Sequence, residues 1–341
     1  MLEARLVATA PAPLDPVRAD PPVVTGSLLI QRGDTELAAA DLAGRWPPRQ
    51  FPAPWPRLFG TVAVSPAGDL AVFAGVHALR AVDAGGGLRW ELRHGCWSAA
   101  ACDLAHVSFA EYAGDTGHVY AGRGSVAFSP DGRRLWAHVR SGAHDEQWLV
   151  VDPADGTVLA RAATGTAGSA SAPVPHPDPA FMGLTVDEEP PSLWGHVDGG
   201  ELRVRRFDAG VLLAATPSGA HLLATDAGQG TLTLHRAADG LPVGRLRADA
   251  AVPALPGEDQ VCWDVEAAAP WDDAAVAGTE DFTGPVRHWL VALPAMTVRG
   301  RIDYPFPVAG PARPATPGRW WTLAPDGAAV HVWTLDRGPD V

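Results

Sequence analysis

The chain has 341 residues, 47% of them hydrophobic, and a formal net charge of −13 at pH 7. That charge argues against the basic footprint of a nucleic-acid binder, and the apolar fraction excludes a disordered chain. All 26 basic residues are Arg, with no Lys or Asn anywhere, so a P-loop, Schiff-base or kinase-type lysine is impossible and a GC-rich bacterial genome is expected.

Three cysteines, Cys96, Cys102 and Cys262, cannot form a disulfide framework. The first ten residues carry no sustained apolar run. No stretch approaches the ~20 apolar residues of a membrane span. A cytoplasmic protein with no membrane or nucleic-acid partner is the expectation.

In chain order, strands are predicted at Leu2–Thr9, Ser27–Gln31 and Glu36–Ala40, followed by a Pro-rich linker over Trp46–Pro56. Then comes a recurring phrase: an apolar run, a Pro and Gly turn, and a second apolar run. Leu58–Ser65 leads through Pro66-Ala67-Gly68 to Leu70–Phe73, and Gly124–Ser129 through Pro130-Asp131-Gly132 to Leu135–Val139. It recurs at Leu212–Gly219 before His221–Ala224, and at Trp320–Gly327 before Ala329–Trp333. Pro at the first turn position with Gly after it specifies a tight reversal between antiparallel strands.

A second phrase closes each unit: alternating apolar residues, an Asp, then Gly. Its turn positions fall at Asp41, Asp83, Asp152, Asp208, Asp239, about Ala295, and Asp336. Steps such as 41 to 83 match the ~40–45-residue period of a propeller blade. The long step from 83 to 152 implies an insertion at about 94–120, and Asp208 sits unevenly between its neighbours.

The fold class is therefore all-β: one β-propeller over residues 1–341 with seven four-stranded blades, six or eight being the alternatives. The N-terminal strands and the Trp320–Leu335 hairpin are expected to share the closing blade. The phrases Ser129-Pro130-Asp131-Gly132-Arg133-Arg134-Leu135 and Val332 to Gly338 resemble WD40 and YVTN-type propeller repeats. Leu79–Asp83 with Gly87–Trp90 looks like a quinoprotein-type repeat. The Gly-His start of strict WD40 units is missing, and Trp-Asp occurs only at Trp263-Asp264 and Trp271-Asp272. The resemblance implies the fold and leaves function to the sites.

The insertion holds the main candidates. His94, Cys96, Cys102 and His106 offer ligands for Zn²⁺ or copper. Their H-x-C-x5-C-x3-H spacing matches no established knuckle, and buried Cys with loop His is the plainer reading. No cofactor is therefore predicted, with Zn or Cu as the alternative. A binding surface is expected from Trp97, Glu111, Tyr112, His118, Trp194 and Trp271, because long loops on rigid scaffolds carry function. Trp90, Trp136, Trp148, Trp289 and Trp333 read as packing between blades. His144-Asp145-Glu146 reads as a solvated hairpin tip, and the acidic clusters at 187–189, 258–259, 272–273 and 280–281 read as solvated loops, with Ca²⁺ or a basic partner as the alternative.

No G-x-S-x-G, H-E-x-x-H or strand-linked G-x-G-x-x-G occurs. The expected function is a non-catalytic propeller scaffold binding a protein partner through its loop face. The alternative is a small-molecule binder or metal-assisted enzyme using the central channel and the 94–120 insertion.

Overall fold

The computed structural model describes residues 2–336 other than 99–101, 103, 120–123, 143–144, 169, 189, 258–259 and 280–285. Its strands form seven antiparallel four-stranded blades. Blade 1 is Val23–Thr25, Leu28–Arg32, Glu36–Asp41 and Arg49–Pro52. Blade 2 is Gly60–Val64, Leu70–Gly75, Ala78–Asp83 and Leu88–Arg93. Blade 3 is Ser125–Phe128, Leu135–Arg140, Glu146–Val151 and Val158–Ala163. Blade 4 is Ser171–Pro175, Phe181–Val186, Ser192–Asp198 and Glu201–Phe207.

Blade 5 is Val211–Ala215, His221–Thr225, Thr231–Arg236 and Pro242–Arg247. Blade 6 is Trp263–Ala268, Ala274–Thr279, Arg287–Ala292 and Thr297–Asp303. Blade 7 takes Ala309–Pro314, Trp320–Leu323 and Ala329–Leu335 from the C-terminal end and its fourth strand, Leu2–Pro11, from the N-terminal end. No helix among the described residues is long and apolar enough to cross a membrane.

Alternation along the middle strands assembles the ring. In blade 2, Ala71 and Phe73 face blade 1, packing with Leu37, Phe51 and Trp55. Val72 and Ala74, one residue out of phase, face Val126, Phe128, Leu135 and Ala137 of blade 3. Blade 3 repeats the pattern, with Trp136, Trp148 and Val150 turned to Met182, Leu184 and Leu193 of blade 4. The period of two thus serves two interfaces per strand, so second and third strands are buried on both faces. The Trp136–Trp148 pair also fixes its neighbour: a Cβ at Gly195 would stand 2.8 Å from both rings.

Three sequence expectations are corrected. Of the N-terminal strands only Leu2–Pro11 closes the ring; Leu28–Arg32 and Glu36–Asp41 build blade 1. The supposed linker contains Arg49–Pro52, an outer strand, where Pro is tolerated because the missing N–H falls on the edge. The turn between third and fourth strands of blade 4 is at Asp198–Glu201, and Asp208 follows the fourth strand. The turn itself, Asp198-Gly199-Gly200 with both glycines at positive φ, carries the same Asp-then-Gly phrase as Asp208-Ala209-Gly210, so a marker placed on the second makes the period look irregular.

The five Trp read as packing are buried, at 7% exposure or less. Replacing one should cost core stability. Trp136→Ala is expected to destabilise by about 3–5 kcal/mol in urea unfolding, whereas Leu88→Ala on the exposed outer strand should change it by less than about 0.5 kcal/mol.

His288 is fully buried, its Nδ1 2.6 Å from the Tyr304 hydroxyl, and burial pushes its pKa down to about 4. The unfolded chain would protonate this imidazole near pH 6.5 while the folded one stays neutral, so stability falls as pH drops from about 6.5 to about 4. The loss from this group is at most about 3 kcal/mol. Chemical denaturation of His288→Gln at pH 7 and at pH 5 should show a smaller difference than the wild type.

Candidate metal centre

The insertion leaves the outer strand of blade 2 at Arg93 and returns to the inner strand of blade 3 at Ser125. Antiparallel alternation puts this connection at the same end of the ring as the loops joining second to third strands. It is sewn to two of them. His94 N–H and Trp97 N–H donate to the carbonyls of His77 and Val76, and Gly95 N–H donates to Arg140 O. Cys96, Trp97 and Tyr112 then enter the apolar cluster shared by blades 1 and 2, against Phe59, Trp55 and Val76.

Two 3-10 turns carry the rest. The first, Phe109–Glu111, begins with a capping box at Ser108, and Glu111 Oε1 accepts from the N–H groups of Val107 and Ser108. The second, Thr116–His118, is capped by Asp115, whose Oδ1 accepts from Gly117 N–H. Each capping carboxylate uses its other oxygen on an imidazole: Glu111 Oε2 lies 3.1 Å from His106 Nδ1, and Asp115 Oδ2 lies 2.9 Å from His118 Nδ1. The His106 contact and the Val107 N–H hold the Glu111 carboxyl below its usual range, and Gly117 N–H with His118 does the same for Asp115.

With both Nδ1 atoms engaged, both Nε2 atoms turn inward. They stand 3.2 Å apart, and Cys102 Sγ is 3.2 Å from His106 Nε2. Cys96 Sγ completes the group, and the four ligand atoms all lie within 4.8 Å of one another. Tyr112 stacks on the His118 ring, centroids 5.0 Å apart, and is tilted against His106 at 4.9 Å. Its hydroxyl is 2.6 Å from His77 Nδ1 in the blade 2 turn. Burial pushes the Tyr112 phenol up and lowers His77 to about 4, so both are neutral near pH 7 and join by an ordinary hydrogen bond.

Of the four residues proposed as ligands from the sequence, the structure brings three together, Cys96, Cys102 and His106. His94 stands outside the group, its Nδ1 against Gly95 O and its ring turned to Trp97. His118, first assigned to a binding surface, takes its place. The twelve-residue gap from His106 hid it: only the two capped turns bring it back.

The expected binding rim is corrected too. Trp97 at 1% exposure, Tyr112 at 2% and Trp194 at 3% are buried, and Trp271 is half-buried against Trp320. Trp194 packs with Phe181, His176 and Phe207 inside blade 4. Of that set only Glu111 is exposed, and it orients His106.

His144 lies outside the described residues, as do Glu189, Glu258, Asp259, Glu280 and Asp281. Glu146 is no hairpin tip. Fully buried, it accepts from Thr166 Oγ1 and Gly168 N–H, and His138 Nε2 lies 3.2 Å away.

The surface beside the cluster is an open cleft of about 420 Å³, whose wall includes Arg93, Leu104, Val107, Ser141 and Gly142. Leu104 and Val107 are exposed at 63% and 55%. Sequence reading missed both, although their place around His106 follows from the ligand positions.

Tyr112→Phe removes the hydroxyl that satisfies His77. Leaving that buried imidazole nitrogen unpaired should lower stability by about 1–3 kcal/mol, read from urea denaturation at pH 7.

No protein-family model matches the chain, and no curated protein matches it. Solved structures match along nearly its whole length. U3-55K is 11% identical with a TM-score of 0.60, covering 96% of this chain and 98% of that one. The RRP9 WD40 repeats are 11% identical at 0.59, covering 97% and 99%. BBS1N, solved in complex with ARL6DN, is 11% identical at 0.53, covering 98% and 97%. The likeness shows the fold, a WD40-type β-propeller.

Proposed function

We propose that this chain is a non-catalytic propeller scaffold that binds a protein partner through the ring end carrying the 94–120 insertion. The observation that carries the reading is the exposed pair Leu104 and Val107 at the rim of the cleft, on a segment docked firmly to blades 2 and 3. Apolar side chains held out on an ordered loop lose little freedom on binding, which favours them as contact points. BBS1N, similar in fold over nearly the whole chain, was solved in complex with ARL6DN, which supports the use by analogy of fold alone.

The net charge of −13 favours a partner with a basic surface, through faster encounter. Free thiols in the insertion fit a reducing, cytoplasmic setting. The metal-assisted enzyme has less support: four protein donors around one ion would complete a tetrahedral shell and leave no position for substrate.

The test is partner capture by the wild-type chain and by a Leu104→Glu/Val107→Glu double variant, both shown folded by circular dichroism. Proteins enriched by the wild type should fall about tenfold or more in affinity for the variant, some 1.4 kcal/mol. Equal binding by the two would move the docking surface elsewhere.

A further inference from the structure

We propose that Cys96, Cys102, His106 and His118 bind one zinc ion in a closed, structural site that fastens the insertion onto the propeller. This inference is independent of any partner. It rests on the convergence of four donor atoms within 4.8 Å, on the direction the imidazoles face, and on the chemistry of the donor set.

The spacing fits a tetrahedral ion. Bonds of about 2.0–2.1 Å to nitrogen and 2.3 Å to sulfur set the edges of the tetrahedron at about 3.3 Å between nitrogens and about 3.6 Å between nitrogen and sulfur. The observed separations are 3.2 Å for the two Nε2 atoms and 3.2 Å from Cys102 Sγ to His106 Nε2. The two close pairs need to open by a few tenths of an ångström, and the widest separation in the group, at most 4.8 Å, to close toward the ~3.8 Å edge between two sulfurs.

The orientation calls for a cation. A neutral imidazole carries one N–H, and Glu111 and Asp115 each take an Nδ1–H. Both Nε2 lone pairs then point at one another across 3.2 Å, a repulsive arrangement unless positive charge lies between them. A proton shared by the two rings would relieve that pair alone and leave the sulfurs unused. A metal ion satisfies all four donors, and carboxylates behind ligating histidines are the usual means of fixing tautomer and raising basicity.

The sulfurs are prepared in the same way. Ser98 N–H points at Cys96 Sγ at 3.4 Å, a contact that favours thiolate, and Cys102 N–H donates to Ser98 O. Ser98 Oγ donates to Gly117 O, tying the cysteine arm to the turn that bears His118. Burial raises the Cys96 thiol on its own account, and a divalent cation supplies the charge that ionises it.

Two thiolates and two neutral imidazoles around Zn²⁺ carry no net charge, so the buried centre avoids the penalty of an unpaired ion. A tetrahedral S₂N₂ set selects zinc over copper(II), which prefers tetragonal surroundings. With four protein ligands the site is closed, and its binding energy goes into holding the 96–118 segment, whose described residues form two single 3-10 turns.

The experiment uses the untagged full chain, reduced, incubated with excess Zn²⁺, desalted and analysed for metal. The wild type and His94→Ala are expected to hold one zinc ion per chain, and Cys102→Ser and His118→Ala to lose it. Replacement by Co²⁺ in the wild type should give the strong visible absorption and sulfur-to-cobalt charge-transfer bands of a tetrahedral thiolate site. Chelation should speed proteolysis within 96–118 about tenfold or more without changing the far-ultraviolet spectrum of the propeller. Because the cobalt and chelation arms use the wild-type chain, a variant that fails to fold leaves the question answerable. A wild type that stays metal-free, cobalt spectra without thiolate bands, or retention of zinc by His118→Ala would each overturn the site.

Discussion

A four-stranded sheet with apolar side chains on both faces needs a cover on each side, and in this chain the neighbouring blades supply it, with the insertion adding Cys96, Trp97 and Tyr112 to the cluster of blades 1 and 2. Every other feature follows from that demand. Phe73 turns one way and Val72 the other, so a blade cannot be removed without exposing two interfaces. The ring therefore has to close. It does so by pairing Leu2–Pro11 with Ala329–Leu335, seven partnered positions from Ala4↔Leu335 to Pro11↔Ala329, with a short parallel contact to blade 6 at Leu2 and Glu3. The two ends of the chain share one blade, which ties closure to the most distant contacts in sequence.

A rigid ring is also what gives the insertion its shape. Among its described residues the 94–118 segment has little regular structure, yet its root is hydrogen-bonded to His77, Val76 and Arg140, and Trp97 and Tyr112 sit in the core of blades 1 and 2. Tyr112 links the two scales. It lies beneath both imidazoles and anchors them through His77 to the blade. Glu111 and Asp115 link local structure to chemistry in turn, since each caps a turn with one oxygen and orients a histidine with the other. The same side chains that make the backbone turn also decide which nitrogen faces inward.

Much of the fold was legible in the sequence because its signals are local. The Pro–Gly turns, the alternating apolar runs and the Asp-x-Gly reversals are each set by a few consecutive residues, and they recur at the blade period. Where the reading slipped, the local signal was ambiguous: the Asp-then-Gly phrase occurs on both sides of the fourth strand of blade 4, at Asp198-Gly199-Gly200 and at Asp208-Ala209-Gly210, and the Pro-rich Arg49–Pro52 is an outer strand that Pro would disqualify only from a central position. The tryptophans resisted a sequence reading for a different reason. Trp97 and Trp194 look loop-borne in the sequence, but exposure depends on what the next blade places against them.

By itself, then, the sequence determined the class of fold, the approximate number of blades, the place of the insertion, and the presence of thiols and imidazoles within it. Spacing along the chain named Cys96, Cys102 and His106 as possible ligands. Only the tertiary structure could exchange His94 for His118, because ligand geometry depends on the direction of side chains across a loop. His94 is tied to its own neighbour's carbonyl, while two capped turns and the Tyr112 anchor carry His118 back across eleven intervening residues to within 3.2 Å of His106.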